Sequence, residues 1–192
     1  MMNVVLYICI TAVKSLRENG MPLNMTTVAH TPQMDIIQSL IINLDNEGRY
    51  HLLNCMANQL RYPNSHTYYF SNTILYLFAE LSKVQLKELI SRVLMERLIV
   101  NKPHPWGLVM TANELLHNPV YRFYEHEFAQ CHKDIEKILK AIADGCKAST
   151  NPPRSAAPHS SSSSPALHQH QQTSSAATEA NQPSSSSFPH KP

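Results

Sequence analysis

Residues 82–103, SKVQLKELISRVLMERLIVNKP, carry apolar side chains at every third or fourth position. This spacing places one apolar stripe along an α-helix. Ser82, followed three residues later by Gln85, predicts a capping box at the helix start, and Pro103 predicts that the helix ends just before it. The inward positions of this helix are Leu86, Ile90, Val93, Leu94 and Leu98. The stripe predicts a helix that is buried along one side.

The same spacing continues on both sides of this helix, and a glycine, a proline or a capping residue separates one segment from the next. These residue types begin and end helices through their side-chain oxygens and restricted backbone angles. The boundary residues are Gly20 (end of the first helix), Thr31 and Pro32 (start of the second), Asp45 or Asn46 (third), Asn64 or Ser65 (fourth), Pro105 and Asn118 with Pro119 (two later starts), and Gly145 (end of the last).

Each of the other predicted helices has an apolar face. In chain order these faces are Val5, Ile8, Ala12 and Leu16; Met34, Ile37, Ile41 and Leu44; Leu53, Met56, Ala57 and Leu60; Phe70, Ile74, Leu77, Phe78 and Leu81; Trp106, Val109 and Leu116; Val120, Phe123, Tyr124 and Phe128; Ile135, Ile138, Leu139 and Ile142. No segment alternates with a period of two for long enough to predict a strand. The sequence predicts an all-α body of about eight helices, stacked as antiparallel pairs in a HEAT-like array.

The composition changes near Ser149. Residues 149–192 contain 13 Ser and 7 Pro, and their only large apolar side chains are Leu167 and Phe188. Such a segment has too little apolar surface to offset the entropy lost on ordering. We predict one helical domain at 1–147 and a disordered Ser/Pro/His-rich tail at 148–192.

Charge and hydropathy exclude two classes of partner. Residues 1–147 contain 14 basic and 13 acidic side chains, so we expect neither a large basic field nor direct binding of nucleic acid. The apolar run at 4–10 is followed by Lys14 and Arg17, well short of the ~20 residues that a bilayer span needs. We therefore expect no membrane association.

The cysteine and histidine positions allow a zinc site but do not favour one. His51 lies four residues before Cys55, and His126 lies near Cys131 and His132. Zinc sites usually use tightly spaced ligand pairs, and the sequence has no CxxC motif. Histidines on helix surfaces are the simpler interpretation. The scattered cysteines are typical of a reduced, intracellular protein.

The sequence lacks the motifs of an enzyme. Residues 125–127, Glu-His-Glu, offer acid and base groups, but no nucleophile or stabilising donor accompanies them. The chain has four glycines and no glycine-rich phosphate loop, HExxH or GxSxG motif. We predict no catalytic activity, no cofactor and no metal.

Two proline-edged connectors combine aromatic and polar residues, at 61–70 (RYPNSHTYYF) and 103–106 (PHPW). Tyrosine, tryptophan and arginine are the usual anchors of protein interfaces. The alternative is that Tyr69 and Trp106 fill the core, as aromatic residues at helical spacing often do. The candidate partner-binding residues are Arg61, Tyr62, Asn64, His66, Tyr69, His104 and Trp106.

Several long motifs resemble one family. They are GRY at 48–50, ANQLRYPNSHT at 57–67, LYLFAE at 75–80 and ERLIVNKPHPWGL at 96–108. Together they resemble the C-terminal domain of the large Not scaffold subunit of the Ccr-Not mRNA deadenylase complex, from about Tyr7 to Cys146. The resemblance implies a helical-repeat platform without catalytic residues.

The resemblance also implies partners and a role. The family docks the Not-box subunits of the complex and supports mRNA deadenylation, translational repression and mRNA decay. In some animals a short segment of the repressor Nanos binds this domain. We expect a protein of the cytoplasm, including mRNA-processing bodies, and of the nucleus. The alternative is a helical module that binds single-stranded RNA directly through the aromatic and basic residues of 61–69.

The chain departs from the family in two respects. The family's scaffold is far longer, and the Ser-rich tail is not part of its pattern. We therefore expect a fragment or truncated paralogue whose helical domain is N-terminally incomplete. The first helix is apolar almost all round at 4–10, which predicts an exposed apolar patch at that end and self-association.

Overall fold

The computed structural model describes residues 1–130 and 133–150, and this part of the chain is helical and contains no strand. The predicted all-α class is therefore confirmed. The helices are α1 Met2–Glu18, α2 Met25–Ala29, α3 Pro32–Asn43, α4 Asn46–Ala57, α5 Ser65–Glu80, α6 Val84–Val100, α7 Trp106–His117, α8 Glu127–Gln130 and α9 Lys133–Thr150, with short 3-10 helices at Pro119–Tyr121 and Phe123–Glu125. Of the tail predicted at 148–192, residues 148–150 belong to α9, so the predicted boundary is wrong by three residues, and the rest of the tail lies outside the described residues.

Side-chain caps begin several helices where the sequence predicts them. Thr31 Oγ1 accepts a hydrogen bond from the amide of Met34 at 3.3 Å, with Pro32 as the first residue of α3. Of the alternatives left open, Asp45 caps α4 and Asn64 caps α5, each accepting from the amide three residues on. These bonds satisfy amides that lack a partner within the helix.

Helix α6 begins one residue later than its capping box predicts. Its N-cap is Lys83, no side chain caps it, and both Ser82 and Gln85 are exposed. Only residues 81–83 separate α5 from α6, and the buried side chains of Leu81 and Leu86 set the start of the helix. Packing thus determines this boundary rather than local capping.

The helix predicted after Pro119 is replaced by two 3-10 helices and α8. Arg122 between the 3-10 helices has a positive φ of 46°, which interrupts helical hydrogen bonding. The buried rings are Tyr121 and Phe123, two residues apart, and both lie against Phe78 at 6.2 and 6.0 Å. An α-helix would point these two rings in widely different directions, whereas the turns around Arg122 bring both against one ring, Phe78.

The last helix also departs from its prediction. Gly145 does not end α9, which continues to Thr150. A single glycine costs a helix only about 1 kcal/mol. Leu139 is buried as predicted, whereas Ile138 is exposed. The side chain of Ile135 lies outside the described residues.

Helix α5 lies at the centre of the core and contacts α1, α2, α4, α6 and α7. Its buried face contains Tyr69, Phe70, Ile74, Leu77 and Phe78. Helices two apart in the chain also pack together, α4 with α6, α5 with α7, and α7 with α9. This pattern is typical of stacked helix pairs and brings the α4–α5 and α6–α7 connectors to one place.

Helix α1 buries one side and exposes the other. Val5 and Ile8 are buried, whereas Val4, Tyr7 and Ile10 are half or more exposed. The predicted apolar patch is therefore present. No helix in the described part is long and apolar enough to span a bilayer.

Candidate functional site

The α4–α5 connector and the start of α7 are joined through their backbones. The amide of Gly107 donates to the carbonyl of Arg61, and the amide of Leu108 donates to the carbonyl of Leu60, both at 3.1 Å. The first amides of a helix have no partner within the helix itself. The connector supplies those partners, so two motifs far apart in sequence form one surface.

Gly107 permits this approach because it has no Cβ. A Cβ there would lie 2.3 Å from Thr67 Cγ2 and 3.0 Å from the carbonyl carbon of Leu60. Thr67 is itself held in place, since its hydroxyl donates to the carbonyl of Gln59 at 2.8 Å. Glycine is therefore required where α7 meets the connector.

Arg97 fixes the connector from α6. Its Nη1 donates to Asn58 Oδ1 and its Nη2 donates to Asn54 Oδ1, both at 2.7 Å. Partial burial lowers the pKa of Arg97, and the nearby Arg61 cation lowers it further. The side chains of Arg61 and Arg97 both lie at this surface.

Around these contacts lies a groove of about 620 Å³. Its lining includes two arginines, one lysine, one histidine, one tyrosine and one tryptophan, and no acidic side chain. Lys102 and Arg61 are exposed, and His104 Nδ1 lies 2.8 Å from the carbonyl of Asn101. We call this the basic groove, defined by Arg61, Tyr62, Arg97, Lys102, His104 and Trp106.

Trp106 also lines a second groove, of about 310 Å³. Tyr68 meets Trp106 edge to face at 5.7 Å, and these two rings are 46% and 38% exposed. Glu114 is the one charged residue among those that line it. We call this the apolar groove, defined by Tyr68, Leu75, Trp106, Met110, Val120 and Tyr121.

Four of the seven predicted binding residues line the basic groove: Arg61, Tyr62, His104 and Trp106. Tyr62 is 74% exposed, and Trp106 lines both grooves. The core alternative for Trp106 is therefore wrong.

The other three predicted residues have different places. Asn64 uses its side chain to cap α5. His66 is exposed but lines neither groove. Tyr69 is fully buried, packed edge to face against Phe70 at 5.4 Å, and burial raises its pKa. The prediction that Tyr69 is an accessible binding residue is therefore wrong, and the alternative that it fills the core is correct.

Tyr68, Met110, Arg97 and Lys102 line the two grooves but were not predicted as binding residues. Tyr68 shares its helix face with Ser71 and Asn72, and that polar neighbourhood is a signal of exposure. Arg97 looks like an ordinary solvated charge in sequence. Its bonds to α4 depend on helix packing that no local pattern predicts.

The histidines considered for a zinc site or for acid–base chemistry make other contacts in the structure. His51 lies 3.5 Å from Glu47 on the same helix. His126 packs between Phe78 and Phe128, and burial lowers its pKa. Within residues 1–130 and 133–150, no three His, Cys, Asp or Glu side chains group to hold a metal. Cys131 and His132 are outside the described residues.

Comparison with known proteins identifies the relatives of this chain. A family model described as "CCR4-Not complex component, Not1" matches residues 1–143. The chain is 46% identical over 142 residues to CCR4-NOT transcription complex subunit let-711 of Caenorhabditis elegans, covering 74% of this chain and 5% of that protein. It is 42% identical over 116 residues to general negative regulator of transcription subunit 1 of Schizosaccharomyces pombe, covering 58% and 6%.

Solved structures of Not1 domains also match this chain. The NOT1 superfamily homology domain from Chaetomium thermophilum matches with a TM-score of 0.65 and 32% identity, over 74% of this chain and 28% of that one. A Not1 C-terminal domain in complex with Not4 matches with a TM-score of 0.59 and 28% identity, over 73% and 27%. The chain thus spans about a twentieth of the curated relatives and about a quarter of the solved domains.

Proposed function

The chain belongs to the Not1 family of CCR4-Not complex components, a non-catalytic scaffold family, and we propose that its helical body docks the Not-box subunits of that complex. Membership confirms the family resemblance and the non-enzymatic class predicted from the sequence. The docking surface proposed is the basic groove, with Tyr62 and Trp106 as its aromatic anchors.

One observation carries this proposal. A structure similar to this chain is a Not1 C-terminal domain in complex with Not4, so a larger relative that contains a body of this fold binds a protein partner. The exposed aromatic and arginine side chains of the basic groove are the residue types that carry most binding energy at interfaces.

We further propose that such docking supports mRNA deadenylation, translational repression and mRNA decay. The same body is proposed to receive short segments of mRNA-binding repressors such as Nanos. The protein then acts where these processes occur, in the cytoplasm with its mRNA-processing bodies, and in the nucleus.

Titration calorimetry of the full chain with Not4 and with each Not-box subunit tests the proposal. Tyr62→Ala should weaken binding by about 1–2 kcal/mol and leave folding intact, because the side chain is an exposed aromatic anchor. Ile36→Ala is the control, since Ile36 is 49% exposed on α3 and lines neither groove. Absence of binding by the wild-type chain would refute docking, and equal losses in both variants would place the interface elsewhere.

Direct binding of single-stranded RNA is a second candidate, favoured by the unpaired cations and aromatic rings of the basic groove. Its affinity for a short oligoribonucleotide should fall steeply as salt is raised, because bound phosphates release counterions. A flat salt dependence, or no binding, excludes this function.

A further inference from the structure

No cation of the basic groove bonds directly to a carboxylate within the described part of the chain, and the one acidic group that acts on them is Glu96, beside Arg97. Arg61 Nε donates to the carbonyl of Asn58 at 3.2 Å, and Arg97 donates to amide and carbonyl oxygens. Arg61, Lys102 and His104 form no ion pair with a described carboxylate. A concave surface carrying one unpaired sign of charge attracts groups of the opposite sign.

The apolar groove adjoins the basic groove at Trp106, which lines both. It follows α7 from Trp106 towards Asn118, a distance of ~18 Å at 1.5 Å per helical residue. About six residues of extended peptide cover that length. Tyr68 and Met110 offer exposed apolar surface along it, so a charged groove and an apolar groove meet at Trp106.

We propose that one linear peptide segment of a partner protein lies across both grooves. Its acidic residues occupy the basic groove, and its aromatic or aliphatic side chains occupy the apolar groove. This inference rests on the proposed function, because it specifies the chemistry of the segment through which a docking partner engages the platform.

The two halves favour a peptide over RNA. The described body has nearly equal numbers of basic and acidic side chains, so no extended field follows a phosphate backbone. In the apolar groove the one charged lining residue is Glu114, which repels phosphate. A peptide can place carboxylates in one half and uncharged side chains in the other, whereas every nucleotide carries a phosphate.

Trp106 provides a direct readout, because it is the single tryptophan of the chain and lines both grooves. The probes are synthetic peptides of about twelve residues, long enough to span both grooves. They carry a block of Asp and Glu and a block of Phe and Leu, in both block orders and without Tyr or Trp. Lysine versions of the same peptides and an oligouridylate serve as comparison probes.

With the full chain, an acidic peptide should change Trp106 emission saturably. Arg61→Glu combined with Lys102→Glu should weaken that binding by about tenfold or more and increase the affinity for the lysine peptide. Lys14→Glu with Arg17→Glu is the matched control, because it reverses two exposed charges on α1. Circular dichroism melts verify that both double variants fold.

Three results would overturn the proposal. The first is no change in Trp106 emission with either acidic peptide, and the second is binding of the lysine peptide to the wild type as tightly as the acidic peptide. The third is a saturable response to oligouridylate alone. The subunit titrations separate this result from the proposed function. If the Arg61→Glu, Lys102→Glu variant still binds the subunits and no peptide changes Trp106 emission, docking is supported and the acidic-segment proposal is refuted. If the acidic peptide binds and no subunit binds, the acidic-segment proposal is supported and docking of the Not-box subunits is refuted.

Discussion

The amide of Gly107, in the first turn of α7, donates to the carbonyl of Arg61, whose side chain lines the basic groove. One hydrogen bond therefore connects the packing of α7 to the position of a candidate binding residue. Any change that moves α7 away from the connector moves the groove wall with it.

We predict that Gly107→Ala destabilises the fold by ~1–3 kcal/mol, the usual cost of overpacking. The added Cβ would lie 2.3 Å from Thr67 Cγ2, and Thr67 cannot rotate away without losing its bond to Gln59. Gly145→Ala is the control, because a Cβ there meets nothing within 4 Å and alanine favours a helix. Urea unfolding measures both variants, and equal stability for the two would contradict this account.

Tyr69→Ala should cost ~3–5 kcal/mol of unfolding free energy, because the ring is fully buried in the core. Trp106→Ala should cost only ~1–2 kcal/mol, since the larger Trp106 ring remains 38% exposed. Thermal and urea unfolding of the two variants compares them directly. A greater loss for Trp106→Ala would mean that this ring is a core residue.

The sequence predicted the helices well where local chemistry determines them. Thr31, Asp45 and Asn64 each bond to an amide three residues away, and such contacts depend on a few neighbouring residues only. The start of α6 escaped prediction because burial of Leu81 and Leu86 determines it. The 3-10 helices after Pro119 escaped prediction because Tyr121 and Phe123 pack against the distant Phe78.

The candidate site was partly predictable for the same reason. Arg61, Tyr62 and Trp106 stand out as aromatic and basic residues in connectors. Their assembly into one groove depends on backbone bonds between residues more than forty positions apart, which no local pattern reveals. Tyr69 was predicted as a binding residue, but the exposed tyrosine is Tyr68. Adjacent residues of a helix point about 100° apart, so an error of one position exchanges a buried ring for an exposed one.

Deleting residues 151–192 should change the unfolding free energy of the helical body by less than about 0.5 kcal/mol. The composition of that segment offers almost no apolar surface to pack. Differential scanning calorimetry of the full and shortened chains measures the change. Loss of the cooperative transition in the shortened chain would show that the segment contributes to the fold.

We predict that the chain self-associates through the exposed face of α1. Val4, Tyr7 and Ile10 form an apolar row there, spaced three residues apart. Val4→Lys with Tyr7→Lys should yield a monomer by sedimentation velocity at the same concentration and leave the melting temperature nearly unchanged. Ile36→Lys, on α3, is the control for adding charge to another exposed apolar site. A monomeric wild-type chain at tens of micromolar would refute the prediction.

Arg97→Ala should destabilise the fold by about 2–3 kcal/mol, because it removes charged hydrogen bonds and leaves the oxygens of Asn54 and Asn58 without their donor. Arg92 lies on the same helix, is exposed, and pairs with Glu96 four residues away, so Arg92→Ala should leave stability close to the wild type. Urea unfolding compares the two arginines. Arg97→Lys should recover little of the loss, since an ammonium group cannot reproduce the fork that reaches both asparagines. Full recovery with lysine would show that charge alone, without the two-pronged geometry, connects α6 to α4.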